Sequence, residues 1–378
     1  MPIYLKEKFL VKKVINLLAN FLFKILKQKK DKFLFHSFPD FADNSLAFYI
    51  YLDQKSKFEA IWLVDDIHFD DLKKFAQGIG SRNKIHFVKK NSIIGLYHFF
   101  TSDFVFCTHG IFRKLGRIKN HKVINLWHGM PIKKIENFTG SEKIIPDNSN
   151  YYVVTNGFYR NLFSKIFNIN TKNIFVSGLP RNDLLFLNSN ILKKINKNNF
   201  AKNILWMPTY RVNSDLSKEF QLNIEKLNKL FMAKNYLCII KSHPLDVRFT
   251  KLKQFSNIEV VDDQFFKVNN KIFYNIFSEV DLLITDFSSV FIDFMLTQKP
   301  IIFFVDDFEI YKKSRGFIFD NLDDLLPGDI IKSFSKLESV IENFDFDNYE
   351  FNYKISINHF HDVKSNFSHK LYEHISDI

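Results

Sequence analysis

The sequence predicts an α/β protein with two doubly wound domains, and three observations lead to this fold class. The chain has 378 residues, a length that suits two domains of roughly 150 residues each. Short apolar runs alternate with helical patterns along most of the chain, which is typical of parallel βαβ units. A polar, lysine-rich segment at 188–201 interrupts the alternation, so we place the domain boundary there.

The apolar runs mark the predicted strands. They lie at 32–37, 60–64, 85–88, 104–108, 123–127, 152–155 and 174–177 in the first half, and at 203–207, 237–241, 258–261, 282–285 and 300–305 in the second. We therefore expect an amphipathic helix at 1–30, Rossmann-like domains at 31–190 and 200–345, and a helical tail at 346–378. Two doubly wound domains that face each other bind ligands in the cleft, at the carboxyl ends of their strands.

Residues 6–30 have the pattern of one amphipathic helix. A polar stripe recurs every four residues, at Lys12, Asn16, Asn20, Lys24 and Gln28. Lysines flank the apolar remainder on both sides, as in helices that lie in the plane of an anionic membrane. The alternative is a helix that packs on the body of the protein. No apolar run reaches the ~18 residues of a membrane span, and a signal peptide is not indicated because the stretch is interrupted and lacks a cleavage site.

Composition leaves three kinds of partner open. A formal net charge of +12 suits nucleic acid, an anionic lipid surface or a polyanionic substrate. Cys107 and Cys238 stand in apolar segments and predict neither a disulfide framework nor a zinc site, so a reducing cytoplasm fits. The Gly-rich signatures of dinucleotide enzymes and P-loop enzymes are not present in the sequence. Paired acids follow several strands, but we interpret them as solvated strand ends and predict no metal site.

Two histidines follow predicted strands. His128 stands in WHGMPIKK, where Gly129 follows it and Lys133 lies five residues on; His243 stands in KSHP after Lys241. An imidazole at a strand end titrates near neutrality and suits general-base catalysis on a hydroxyl. The alternative for His128 is a ring that hydrogen-bonds to loop backbone.

Phosphate-binding groups also cluster after predicted strands. Arg181 and Arg211 each offer a guanidinium fork that matches phosphate oxygens; their alternative is an interdomain salt bridge. Near Arg211 stands Thr209. Asp286, Ser288 and Ser289 lie where a strand gives way to a helix, and free N–H groups and hydroxyls at a helix start bind phosphate.

Five stretches together resemble the CDP-glycerol glycerophosphotransferases, the family of teichoic-acid primases and polymerases. They are NLWHGMPIKK (125–134), GLPRNDLL (178–185), LWMPTYR (205–211), IIKSHP (239–244) and DLLITDFSSVFIDFMLTQKPIIFF (281–304). The resemblance covers about 30–340 and is carried by the order and spacing of the stretches. It departs from the family pattern at Met130, at Phe287 and near 362–364, which suggests another alditol or a capsular or lipo-oligosaccharide acceptor.

The resemblance implies a GT-B fold, a first domain for the acceptor and a second for a CDP-activated alditol-phosphate donor. It implies catalytic roles for His128 and His243. Donor contacts are implied for Arg211, Ser288 and Ser289, and with them we group Thr209, Arg181, Asp286 and Lys241. We place Gly129 and Lys133 on the acceptor side.

Three functions compete on this sequence. In the first, an acceptor hydroxyl attacks the donor's β-phosphorus and CMP leaves, at the cytoplasmic face of a bacterial membrane with anionic inner-leaflet lipids as partners. We favour it because histidines occur together with phosphate-directed groups. The second is a GT-B glycosyltransferase that uses a nucleotide sugar, because one fold serves both. The third is a nucleic-acid or lipid-binding module, which the scattered lysines disfavour, so we expect no nucleic acid. No cofactor is predicted, and Mg²⁺ is not indicated.

Overall fold

The computed structural model describes residues 3–65, 69–135, 147–195, 198–209, 217–241, 249, 252, 254–306, 316–319, 325–328, 330–349 and 353–378. The chain forms two compact units. The first comprises 1–130, 140–184 and 361–378, and the second comprises 131–139 and 185–360. The tail at 346–378 that the sequence sets apart is thus divided between the two units.

The described residues of the first unit form a seven-stranded sheet in which every pairing is parallel. Its order is β3-β2-β1-β4-β5-β6-β7. The strand order reverses between β1 and β4, which is where doubly wound sheets bind ligands. The strands are β1 (Lys29–His36), β2 (Glu59–Val64), β3 (Ile85–Lys89), β4 (Ser102–Cys107), β5 (Lys122–Asn125), β6 (Tyr151–Val154) and β7 (Ile174–Val176).

The second unit holds a six-stranded sheet within its described residues, also with parallel pairings throughout. Its order is β10-β9-β8-β11-β12-β13, so its reversal lies between β8 and β11. The strands are β8 (Lys202–Met207), β9 (Tyr236–Lys241), β10 (Ile258–Val261), β11 (Leu282–Thr285), β12 (Ile301–Phe304) and β13 (Ile330–Ile331). The fold class predicted from the sequence, α/β with two parallel sheets, is confirmed.

Helices connect these strands, as right-handed parallel crossovers require. The α-helices among the described residues are α1 (Ile3–Ile25), α2 (Asp43–Lys55), α3 (Phe69–Gly78), α4 (Ile93–Thr101), α5 (Gly157–Phe167), α6 (Leu192–Ile195), α7 (Lys218–Lys234), α8 (Asp263–Val268), α9 (Val290–Phe294), α10 (Phe334–Glu342), α11 (Tyr353–Phe360) and α12 (Phe367–Ser376). A 3-10 helix covers Pro180–Phe186.

The central strands are buried, which explains why they consist of nearly continuous apolar residues. In the first unit, Phe35 stacks on Trp62 and on Phe106 with ring centroids 5.3 and 5.2 Å apart. In the second, Trp206 packs with Phe231 in one buried cluster over the sheet. The many phenylalanines therefore serve mainly as core.

Helix α1 ends at Ile25, five residues before the predicted end. Residues 29–30 belong to β1, where Lys29 is in register with Ser102 of β4, so that part of the prediction is wrong. Ala19 is buried in the core of the first unit, and the ring of Phe23 lies 4.6 Å from that of His121. In the described part of the chain, no helix combines the length and the apolar character needed to cross a membrane.

Two residues of the polar stripe of α1, Asn16 and Asn20, contact the protein, whereas Lys24 is exposed. The side chain of Asn16 lies against Gly116, and the Asn20 side-chain oxygen accepts a hydrogen bond from Lys119 N at 3.3 Å. The opposite side of the helix is apolar and exposed. Its exposed residues are Val14, Leu17, Leu18, Phe21, Leu22 and Ile25.

The last segment of the chain completes the first unit. The carboxylate of Asp183 accepts hydrogen bonds from the backbone N–H groups of Phe367 and Ser368 at 3.0 and 2.8 Å, so it caps α12. Asp362 accepts a bond from Gly157 N at 2.8 Å, at the start of α5. Helix α12 also covers Gly178, where only a hydrogen fits beside the Phe367 ring.

Candidate functional site

Three histidines stand at the carboxyl ends of neighbouring strands in the first unit. His36 ends β1, His109 stands two residues after β4, and His128 stands three residues after β5. His36 is buried and its Nδ1 lies 3.0 Å from Leu63 O, so it is held within the sheet. His128 is exposed and His109 is half-buried. The candidate reactive groups of this unit are therefore His109 and His128. They follow β4 and β5, next to the point between β1 and β4 where the strand order reverses.

The local backbone geometry exposes His128 just beyond the carboxyl end of β5. Trp127 has φ +59° and Gly129 has φ +125°, so the chain turns sharply on either side of the histidine. The Asn125 side chain accepts a hydrogen bond from Trp127 N at 3.0 Å, and the Asn44 side chain donates one to Trp127 O at 2.9 Å. These two asparagines hold a backbone conformation that a bulky residue adopts only at a cost.

The hydrogen bond of His128 determines which ring nitrogen carries the proton. Its Nδ1 lies 3.2 Å from the carbonyl oxygen of Thr108, and a carbonyl only accepts, so Nδ1 donates. Nε2 of the neutral ring then keeps its lone pair. Burial of part of the ring lowers the pKa of His128 below its usual 6.5, even though the residue is exposed to solvent. The geometry suits a neutral base at physiological pH.

His109 stacks on His128, with ring centroids 4.0 Å apart and planes inclined by 12°. Its Nδ1 lies 2.9 Å from the hydroxyl of Thr108. Burial and then the neighbouring His128 lower the pKa of His109 to about 3. The sequence interpretation missed this residue, although a signal was present. Thr108-His109-Gly110 repeats, after β4, the His-Gly pair that follows β5.

Arg181 is buried among partners of its own unit. Its Nη1 lies 2.7 Å from the Asp43 carboxylate and donates to His128 O at 3.1 Å. Its backbone N–H donates to the side chain of Asn44 at 3.0 Å. The guanidinium thus contacts Asp43 and the His128 loop, and the phosphate contact that the sequence suggests stays a prediction. The salt bridge joins residues of one domain, not two.

In the second unit, Thr209 and Asp286 bind each other at the ends of β8 and β11. Asp286 is buried, and its carboxylate accepts hydrogen bonds from the N–H group of Thr209, at 3.0 Å, and from its hydroxyl. A buried carboxylate repels a phosphate. Asp286 therefore fits a role in fixing the 208–209 turn better than the direct donor contact that the sequence suggests.

Lys241 ends β9 with a buried side chain. Its Nζ lies 3.2 Å from Asp263 Oδ1 and 5.5 Å from the centre of the Phe273 ring. The ion pair and the aromatic ring stabilise the ammonium in place.

Ser288 and Ser289 precede α9 and are half-buried. Ser289 occupies the N-cap position without a side-chain capping bond, and Ser288 Oγ lies 3.5 Å from Val290 N. Within the described residues, neither hydroxyl is held by a short hydrogen bond, so both can bind a ligand. Asp293, one turn later, is buried and accepts a bond from the Tyr274 hydroxyl at 2.9 Å, which explains its place in an apolar helix.

The remaining predicted site residues are Gly129, Lys133, Arg211 and His243. His243 and Arg211 lie outside the described residues. Gly129 belongs to the first unit, and Lys133 belongs to the second, where it forms an antiparallel bridge with Phe317. No group of three His, Cys, Asp or Glu side chains within the described ranges is arranged to hold a metal ion.

The sequence is similar to those of known proteins. A family model described as CDP-glycerol:poly(glycerophosphate) glycerophosphotransferase matches residues 18–375. The chain is 26% identical to a teichoic acid poly(glycerol phosphate) polymerase of Bacillus spizizenii, over 84% of each protein. It is also 26% identical to a teichoic acid glycerol-phosphate transferase of Staphylococcus aureus, over 89% of this chain and 90% of that protein. By contrast, it spans 33% of the poly(glycerol phosphate) polymerase of Bacillus subtilis.

Solved structures share the fold. The wall teichoic acid polymerase TagF superposes with a TM-score of 0.71 at 21% identity, over 100% of this chain and 97% of that one. A UDP-GlcNAc 2-epimerase of Methanocaldococcus jannaschii gives a TM-score of 0.55 at 14% identity, over 92% and 99%. At these identities the likeness concerns the fold alone, which is GT-B-like as expected.

Proposed function

The chain belongs to the CDP-glycerol:poly(glycerophosphate) glycerophosphotransferase family, and on that premise we propose how its residues divide the work of alditol-phosphate transfer. It is an enzyme that transfers an alditol phosphate from a CDP-activated donor. We propose that the acceptor is a hydroxyl of a membrane-bound glycan or polyol-phosphate chain and that the transferred group is glycerol phosphate or ribitol phosphate.

One observation carries the chemical part of the proposal: the Thr108 carbonyl holds Nδ1 of His128, which leaves Nε2 free at an exposed strand end. An acceptor hydroxyl is a poor nucleophile at neutral pH. As its oxygen bonds to the donor's β-phosphorus, its proton passes to His128 Nε2, and the bond to CMP breaks. A positioned base of this kind contributes ~10²–10⁴ in rate.

The remaining residues act on the donor and on the base. We assign Ser288, Ser289 and Arg211 to the donor phosphates and His243 to charge stabilisation on the transferring group. Arg181 orients the His128 loop through the carbonyl that it binds. Five further residues have supporting roles: Thr209 and Asp286 shape the turn beside the donor, Lys241 adds positive charge there, and Gly129 and Lys133 lie on the acceptor side. We propose no cofactor, because the CDP-activated donor is a substrate. Dependence of the reaction on Mg²⁺ is measured in the experiment below.

The test is to identify the product that leaves. The purified protein is incubated with CDP-glycerol, CDP-ribitol or UDP-sugars and a polyol-phosphate acceptor, with and without Mg²⁺. Release of CMP from a CDP-alditol is expected. Release of UDP from a nucleotide sugar would instead support the glycosyltransferase alternative. His128→Ala should reduce CMP release by ~10²-fold or more, whereas His86→Ala, at an exposed histidine of β3, should retain it. Wild-type turnover in the His128 variant would exclude this residue as the base.

We also propose that the protein acts at an anionic membrane surface, which α1 supports. A helix on a globular protein normally turns its apolar side inward, whereas α1 exposes its apolar side, from 40% for Leu22 to 63% for Leu17. The neighbouring helix α4 exposes Ile93, Ile94 and Tyr97. Exposed lysines at 13, 24, 27 and 30 accompany α1. Apolar insertion together with basic residues is what interfacial helices use.

Vesicle flotation tests this location. Leu17→Gln with Phe21→Gln should reduce binding to phosphatidylglycerol vesicles by roughly tenfold or more, because each change removes an inserted side chain worth ~1.5–3 kcal/mol. Leu222→Gln with Met232→Gln, at equally exposed positions on α7, is the matched control and should bind as wild type. Equal binding of both double variants would assign α1 to packing alone. Salt-sensitive DNA binding by the wild type would contradict our proposal that nucleic acid is not a partner.

A further inference from the structure

We propose that His109 is a positioning residue for the base, whose stacked ring fixes the plane of the His128 imidazole and shields one side of it from water. The proposal rests on the proposed function, because it assigns a task to His109 only through His128. The site then consists of a reacting imidazole and a supporting imidazole, in the loops that follow two adjacent strands of one sheet.

The stacking geometry is the first support. The two imidazole rings are nearly parallel at 4.0 Å, and His128 also stacks on Trp127 at 4.7 Å with planes inclined by 27°. His109 is itself braced by Phe38, whose ring meets it edge-on at 5.8 Å. Rotation of the His128 ring would break contacts with both stacked neighbours, so Nε2 keeps one direction.

Thr108 couples the two rings and is the second support. Its carbonyl accepts from His128 Nδ1, while its hydroxyl lies 2.9 Å from His109 Nδ1. The hydroxyl oxygen already accepts a bond from Phe38 N at 3.3 Å, so its own proton is available to His109 Nδ1. His109 is then neutral, with its proton on Nε2. Two neutral imidazoles stack without repulsion, which a pair of imidazolium ions could not do.

The charged groups around His109 and His128 are compatible with two neutral imidazole rings. Asp43, from α2, favours a proton on either ring, whereas Arg181 and Arg113 disfavour one on His128. The Asp43 carboxylate is already paired with Arg181. His36, on β1, also disfavours charge on His109. None of these four groups changes in the variants below, so they affect each variant alike.

The pH dependence of kcat distinguishes shielding of the His128 ring from other roles of His109. Burial lowers the pKa of His128, so the base stays neutral to lower pH than a free histidine would. His109→Ala admits water to the ring, and the pKa of His128 should rise toward 6.5. The acidic limb of the kcat profile should therefore move to higher pH. His109→Phe keeps a stacked ring without an ionisable group, so its acidic limb should stay near the wild-type position.

The experiment compares His109→Ala, His109→Phe, His128→Ala and the double variant His109→Ala/His128→Ala. His109→Ala should lower kcat about tenfold to a hundredfold through loss of alignment, with KM for the CDP-donor nearly unchanged, and His109→Phe should recover most of the rate. The double variant should be no slower than His128→Ala, because residues that act as one unit are not additive.

An NMR titration of the His128 ring measures the same effect without turnover. The pKa of His128 should be higher in His109→Ala than in the wild type or in His109→Phe. An unchanged titration and rate in His109→Ala would overturn the role of His109 while leaving that of His128 intact. A double variant slower than His128→Ala would show that His109 acts independently. Full activity of His128→Ala would overturn the proposed base itself, which is a separate outcome.

Discussion

Replacement of Gly178 by alanine should destabilise the first unit by about 2–5 kcal/mol, the sum of a backbone cost and a steric cost. Gly178 has φ +73°, a conformation that costs an L-residue about 1–2 kcal/mol. An added Cβ would lie 2.3 Å from Cδ1 of Phe367 and 2.9 Å from Cε1. Phe367 is completely buried, so its ring has no open space to enter. Overpacking of such a site costs about 1–3 kcal/mol.

Gly80→Ala is the matched control. Gly80 has φ +79°, but no atom lies within 4 Å of the added Cβ, so it should lose only the backbone part, about 1–2 kcal/mol. Urea unfolding of both variants, read by hydrogen exchange of the α12 amides, measures the difference. Phe367→Leu combined with Gly178→Ala should recover part of the steric loss. Equal losses for Gly178→Ala and Gly80→Ala would refute the steric reasoning.

Three further substitutions test half-buried polar contacts. Glu279→Ala should cost about 2–4 kcal/mol in urea unfolding, because its carboxylate accepts four hydrogen bonds from residues 189–192; Glu279→Gln, which keeps one oxygen, should cost less. Asp183→Ala should cost about 1–3 kcal/mol and speed exchange in α12, since its carboxylate caps that helix, and equal exchange in Asp183→Asn and Asp183→Ala would argue against the cap. Lys299→Met should lower Tm, because Nζ donates to the carbonyls of 277, 278 and 280; an unchanged Tm would mean that water replaces the ammonium without loss.

The strands were the most predictable part of the fold. Parallel strands buried on both faces need apolar residues at nearly every position, and such runs stand out between polar loops. The exception is Ile330–Ile331, a pair in β13 that is too short to form a pattern. The end of α1 was mispredicted because β1 begins with the charged residues 29–32, which continue a helical pattern equally well.

The placement of the candidate site residues at strand ends could be predicted from the sequence, but their hydrogen-bond partners could not. His128 stands out among the polar strand-end residues because an imidazole beside a glycine turn suits general-base catalysis. The partner of a charged group, however, is distant in the sequence. Arg181 binds Asp43 across 138 residues, and Asp286 binds Thr209 across 77. Pattern alone assigns both to a ligand, because it cannot show that each charge is already neutralised or hydrogen-bonded within its own unit.

The return of residues 361–378 to the first unit has a consequence for synthesis on the ribosome. Translation produces residues 1–130 and 147–184 early, yet Asp183, Gly178 and Gly157 all await partners from the last eighteen residues. The second unit, contained in 131–139 and 185–360, is fully synthesised before them. Until residues 361–378 are synthesised, the nascent first unit therefore lacks the cover that Phe367 gives at Gly178, and it reaches its final stability only after α12 has left the exit tunnel. Chaperones that bind exposed apolar segments have that whole interval in which to act.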